Sequence, residues 1–328
     1  MLFISTVANG EAINNAIQLA MYGIIPYLVM CRYWQTEDGW TRVLGGVSMA
    51  FTIILLANFV IMILYPNGIH STYSSAVATK YYLIGAKNQM VAPIIIGMVF
   101  FVENSFHKYV KLRLWSFVKC LICACELILG ASGTGIIMII AFVILEILQR
   151  KKQLISTKVS FIALLMIFIG IVFFQMQNSF AFFIEGFLHK SLTLSNRTFI
   201  WDAAFLSIQQ HPIMGIGVSS NLAGNVLLNL DYTSKNTFAH NTYLDFAVMG
   251  GIIAITLFII FLFQVKHEYD IAWKQKMRSI IWWGIWLYLV AAIVEIYQGN
   301  YCLFLMTAFI STRFHNLKYV RENGHATN

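Results

Sequence analysis

Thr242–Gln264 reads TYLDFAVMGGIIAITLFIIFLFQ, an unbroken apolar run whose single charge, Asp245, lies near its start. A helix crossing the roughly 30 Å hydrocarbon core needs about 20 such residues. This run therefore decides the fold class, because a membrane helix satisfies its own backbone hydrogen bonds where water cannot. Working outward, further apolar runs lie at residues 13–30, 43–64, 82–102, 115–130, 133–148, 158–175, 279–297 and 299–312. The runs at 115–130, 133–148 and 299–312 fall short of the roughly 17-residue minimum, so their ends must extend into the flanking turns. The expectation is an all-α polytopic integral membrane protein with about nine transmembrane helices. It forms one membrane domain over residues 1–328, interrupted by one long polar loop, Met176–His240.

Composition agrees. The mean hydropathy is +0.72. Hydrophobic residues make up 59% of the chain and charged residues only 11%, against about 25% charged in soluble domains. Cys120, Cys123 and Cys125 have a spacing that resembles a zinc site, but they lack a second ligand pair and sit inside an apolar run. They read as small buried hydrophobes, and neither a metal nor a cofactor is expected. The net charge of +8 marks cytoplasmic loops rather than a nucleic-acid surface. Residues 1–8, MLFISTVA, read as the last turns of a truncated helix, which predicts one or more spans upstream of this sequence. The alternative is an outside terminus with a short apolar tail.

Positive charge tests the topology. Arg32 and Arg42 share one connection, and Lys108, Lys111 and Arg113 share another. Arg150, Lys151, Lys152 and Lys158 form a third group, Lys266, Lys274, Lys276 and Arg278 a fourth, and Arg313, Lys318 and Arg321 the last. These groups alternate with charge-poor connections. Cytoplasmic loops are enriched in Lys and Arg, so the carboxyl terminus is expected inside and Met176–His240 outside a cell membrane.

The long loop has internal order. Residues 179–188, SFAFFIEGFL, are too few to span and suit the interface. Ser195 or Asn196 can cap a helix beginning near Arg197. That helix carries Trp201, Phe205 and Ile208 as an apolar stripe and ends at Gln210, because His211 precedes Pro212. Gly215 and Gly217 predict a tight turn. A short apolar patch follows at Val226–Leu230. Asn241 is placed to cap the next spanning helix, with Asp245 one turn inside it.

Arg197–Trp201, His211–Pro212 running into Gly215 and Gly217, His240–Asn241–Thr242–Tyr243–Leu244 and Gly250–Gly251 together resemble the signature of the O-antigen ligase and polysaccharide polymerase superfamily. Gly85, Lys87 and Asn88 are similar to the Gly-x-Lys-Asn element of Gram-positive capsular and exopolysaccharide polymerases. Ser132–Gly133–Thr134 resembles the family's start of a helix. The resemblance covers residues 80–264, most strongly 195–251. It implies a GT-C-like membrane glycosyltransferase that takes a glycan from an undecaprenyl-diphosphate carrier and joins it to an acceptor glycan. The implied transfer is inverting and metal-independent. It further implies membrane lipids, a flippase and a chain-length regulator as partners, and no nucleic acid. The family's second essential Arg is matched here by Gly133, which favours a polymerase over a ligase and leaves Lys87 as the obvious cationic substitute.

The resemblance carries two roles over to this chain. Histidine, with an unperturbed pKa of about 6.5, suits a general base that accepts a proton from the acceptor hydroxyl, and this role falls to His240. Arg197 offers a planar fork for the diphosphate. Lys87, Asn88, Trp201, His211, Asn241 and Asp245 are candidate substrate contacts, with Trp201 placed to stack on glycan. The N–H groups of the helix beginning near Asn241 would add to the field on the diphosphate. Each residue also has a plainer reading: His240 as a neighbour of a helix cap, Arg197 and Lys87 as contacts to lipid headgroups, and His211 as part of a structural turn. Asp245 and Glu295 either orient His240 or bind sugar hydroxyls. A ligase, a lipid-linked glycan flippase and a purely structural assembly protein are the competing classes. The flippase reading is weakened by the absence of visible internal repeats.

Overall fold

The structure, a computed structural model, describes residues 2–8, 13–32, 39–74, 77–106, 110–149, 155–174, 176, 197–218, 239–274, 279–297 and 301–324. The expected interfacial run at 179–188, the caps at Ser195 or Asn196 and the patch at Val226–Leu230 lie outside these residues. In chain order the elements are α1 (Leu2–Ala8), α2 (Ile13–Cys31), α3 (Gly39–Leu64), β1 (His70–Ser74), β2 (Val77–Tyr82), β3 (Gly85–Ala86), α4 (Val91–Phe106), α5 (Val110–Leu129) and α6 (Gly133–Gln149). They continue with α7 (Thr157–Val172), α8 (Arg197–Gln210), α9 (Thr242–Lys274), α10 (Ile281–Ala291) and α11 (Cys302–Gly324).

The chain is largely α-helical, and every apolar run read from the sequence contains a helix. The helices α2, α3 and α9 are long and apolar enough to cross a membrane, whereas α4, α6, α7 and α10 are shorter apolar helices. The helix α3 shows the inverted polarity of a lipid-facing segment: its Ser48 and Asn58 are buried, while Met49, Ile53, Val60 and Ile63 are exposed. In water that arrangement would be costly. In hydrocarbon it places the polar groups where partners exist.

Two expectations need correction. The chain is not all-α, because His70–Ala86 forms a three-stranded antiparallel sheet in the order β1-β2-β3. His70 pairs with Tyr81, and Tyr82 pairs with Gly85. The span expected at 82–102 therefore begins only at Val91. The Thr and Tyr residues of VATKYY favour a pleated ladder over a helix, and Gly68, at φ +83°, turns the chain into it.

The chain divides into two compact units, each assembled from separated stretches. One comprises residues 1–25, 158–264 and 289–301, and the other residues 26–157, 265–288 and 302–328. In the second unit α4 is buried along most of its length. Phe100 stacks on Phe51 at 5.8 Å and meets Phe309 edge-on at 4.9 Å. At one end of this unit, Arg313 Nη1 donates to Glu103 Oε1 at 2.9 Å. Glu103 Oε2 accepts from Ser279 Oγ and from the Ile280 N–H. The Arg313 guanidinium also lies 4.1 Å from the Trp40 ring centroid. The end of α4, the middle of α11 and the starts of α3 and α10 thus meet at one level. At another end of these helices, Asn58 Nδ2 donates to Glu126 Oε2 at 2.6 Å, and Asn58 Oδ1 accepts from the Ile84 N–H. This pair ties the sheet to α3 and α5.

Candidate functional site

The site is built in the first unit around the start of α9. Asn241, with no exposed surface, caps the helix. Its Oδ1 accepts from the N–H groups of Tyr243 at 3.0 Å and Leu244 at 3.1 Å. Thr242 anchors the same turn to the segment after α10. Its N–H donates to Ala292 O, its Oγ1 donates to Glu295 O at 2.9 Å, and that Oγ1 accepts from the Tyr297 N–H. The Tyr243 hydroxyl donates to Leu289 O at 2.7 Å.

His240 stands immediately before this cap in the left-handed region, at φ +51°. A non-glycine residue there is uncommon and persists only when its surroundings hold it. The preceding residue, Ala239, is gripped at both ends. Its N–H donates to Asp245 Oδ1 at 2.8 Å, and its carbonyl accepts from Trp201 Nε1 at 2.9 Å. His240 itself is partly exposed.

A second device fixes α8 to α9. The helix α9 breaks at Gly251, at φ +60° and ψ −161°, which frees backbone groups around it. The turn that follows α8 takes them up. Ile216 N–H donates to Val248 O and Gly217 N–H to Met249 O, both at 2.9 Å, and Ile252 N–H donates to Pro212 O at 2.8 Å. A Cβ on Gly251 would fall inside the Ile213 carbonyl, and one on Gly215 would overlap Val248 O. Only glycine permits this approach. From α1, Ser5 Oγ donates to Met214 O at 2.6 Å and to Met249 O at 3.0 Å, and Thr6 Oγ1 accepts from the Val218 N–H.

The expected helix from Arg197 to Gln210 is present as α8, and Asn241 is the expected cap. Arg197 is the first residue of α8, one turn before Trp201 on the same helical face. Trp201 in turn reaches the residue before His240. The helix α8 within the long loop and the loop's last residues are thereby brought together through Trp201. His211 is exposed at the start of the turn, and Asp245 is buried one turn into α9 with Oδ2 unpartnered. Lys87 and Asn88 lie in the second unit, in the turn between β3 and α4. There the Ser132 hydroxyl approaches Asn88 Oδ1 at 3.5 Å. Ser132 caps α6, its Oγ accepting from the Gly135 N–H.

Two expected roles do not fit this geometry. Trp201 is 2% exposed with its indole N–H bonded, so it is a wedge under the histidine turn and not an open platform for a sugar. The backbone N–H groups of the first turn of α9 are not free to meet a diphosphate. Thr242 N–H is taken by Ala292 O, Tyr243 and Leu244 N–H by Asn241 Oδ1, and Asp245 N–H by Asn241 O. Sequence reasoning missed Ser5 and Thr6, and gave Thr242 no role beyond its place in the signature. Small hydroxyl residues near apolar runs were the signal, although nothing in their spacing names a partner. Among the described residues no three His, Cys, Asp or Glu side chains converge as a metal site.

No curated protein and no solved structure matches the chain. Residues 118–259 match the family model described as O-antigen ligase. That stretch holds Arg197, His240, the Gly250–Gly251 break and the capped start of α6, and excludes Lys87 and Asn88. Across the helices that form this site the chain is therefore similar to the O-antigen ligase family.

Proposed function

We propose that this protein is a membrane glycosyltransferase of the O-antigen ligase type, moving a glycan from an undecaprenyl-diphosphate carrier to an acceptor glycan at the outer face of the cell membrane. The observation that carries the reading is the strained His240 turn. It sits inside the stretch matched to the ligase family and is joined through Trp201 to the helix that begins with Arg197. In the proposed chemistry the acceptor hydroxyl gives its proton to the His240 imidazole as its oxygen attacks the anomeric carbon. The carbon–oxygen bond to the diphosphate breaks, with inversion. The Arg197 guanidinium pairs with the charge that gathers on the leaving diphosphate.

The family description favours transfer of a finished glycan to an envelope acceptor. Polymerisation of repeat units is the second reading, favoured by Gly133 at the position where the ligases that this chain resembles carry an Arg. Purified protein supplied with lipid-linked repeat units tests both. A single addition supports the ligase, a ladder supports the polymerase, and carrier-linked glycan that stays unreacted while crossing the bilayer would favour the flippase instead.

A further inference from the structure

We infer that Trp201 and Asp245 are positioning residues that hold His240 for proton transfer by clamping the backbone of Ala239; this inference rests on the reading of His240 as the base. The left-handed φ of His240 has an energetic consequence. Left free, the histidine would relax to the right-handed or extended regions, which cost less, and its imidazole would swing away from its present position. Three restraints oppose that relaxation. Asp245 Oδ1 fixes the Ala239 N–H, Trp201 Nε1 fixes the Ala239 carbonyl, and the Asn241 cap fixes the residue after the histidine. The peptide bond between Ala239 and His240 is planar, so anchoring its carbonyl oxygen limits the φ rotation of His240 directly. Asp245 and Trp201 reach Ala239 from different elements, α9 and α8. The histidine's orientation is thus coupled to the helix that starts with Arg197.

Both side chains are buried, Asp245 with no exposed surface and Trp201 with 2%. Neither is placed to meet a soluble sugar. Their effect on transfer passes through the main chain, which separates them from a stacking platform and from a carboxylate that binds substrate hydroxyls. A misplacement of about 1 Å can lower a rate about 10²-fold, so loss of one clamp is expected to fall mainly on kcat.

The variants discriminate by which atom they remove. Trp201→Phe keeps an aromatic face and loses the indole donor. It is expected to lower kcat by about tenfold or more, with the KM values for lipid-linked donor and for acceptor within about twofold. Asp245→Ala is expected to behave alike, and Asp245→Asn, which keeps a carbonyl acceptor for the Ala239 N–H, to recover most of that loss without displacing the pH–rate profile. Donor binding and monodispersity in detergent confirm that each variant is folded. Wild-type kcat in Trp201→Phe would overturn the clamp, as would a loss in Asp245→Asn equal to that of Asp245→Ala with the profile displaced, since that result assigns the role to the carboxylate charge. His240→Ala is measured in parallel. If it transfers at the wild-type rate, the base assignment has failed. If it is inactive while Trp201→Phe is unimpaired, only the positioning has failed.

Discussion

Gly251→Ala strikes at the junction that locks α8 to α9. The added methyl would enter the Ile213 carbonyl and lie 2.7 Å from Met214 N, and both neighbours are backbone that cannot swing aside. Holding alanine at φ +60° and ψ −161°, a region essentially confined to glycine, costs roughly 1–3 kcal/mol. Relief of the overlap requires the turn to withdraw, which breaks the Ile252 N–Pro212 O bond at 2.8 Å and weakens the Ile253 N–Ile213 O bond at 3.4 Å. Buried backbone groups left unsatisfied add about 1–3 kcal/mol. The expected destabilisation is therefore roughly 2–6 kcal/mol, a large fraction of the about 5–15 kcal/mol typical of a folded domain. The assay is the fraction of detergent-solubilised protein that stays monodisperse after a temperature ramp, with Gly46→Ala as control. Gly46 lies within α3 and has nothing within 4 Å of an added Cβ, so alanine there should be neutral or stabilising by up to about 1 kcal/mol. Gly251→Ala surviving the ramp as well as wild type would refute the broken-helix account.

Further consequences follow from other parts of the molecule. Asn241→Ala removes the acceptor for two helix-start N–H groups and should cost about 0.5–2 kcal/mol, with Asn241→Asp retaining most of it, measured on the same temperature ramp. Arg313→Met leaves Glu103 buried without its partner and should cost about 3–5 kcal/mol, partly restored in the double variant with Glu103→Gln; additive losses would refute the pairing. The alternating Lys and Arg groups predict that a cysteine at Ser219, in a background without native cysteines, reacts with an impermeant thiol reagent on intact cells, whereas one at Gln275 does not. The reverse pattern would place the long loop inside.

The helices were legible because burial in lipid writes long apolar runs into the sequence. The ends of α8 were legible too, from the polar Ser195 and Asn196 before Arg197 and from Pro212 after His211. The Asn241 cap follows from an amide side chain set just before an apolar run. Tertiary geometry was not legible. Trp201 looks the same in sequence whether its ring is open to a sugar or wedged beneath Ala239, and the difference lies in one hydrogen bond made 38 residues away. The donors at the start of α9 look free until Ala292 arrives from the segment after α10. The sheet at His70–Ala86 was hidden because its last strands run into the apolar stretch of α4, so a period of two was absorbed into a longer hydrophobic window.

The most direct test of the central claim is glycan transfer by His240→Ala from a defined lipid-linked donor, compared with wild type at matched amounts of folded protein. The account predicts a loss of about 10²–10⁴-fold, the usual contribution of a positioned general base, with donor binding retained. Arg197→Ala should instead lose transfer together with donor binding, and Arg197→Lys should rescue it poorly because it lacks the planar fork. Undiminished transfer by His240→Ala would contradict the account and remove the base from the mechanism.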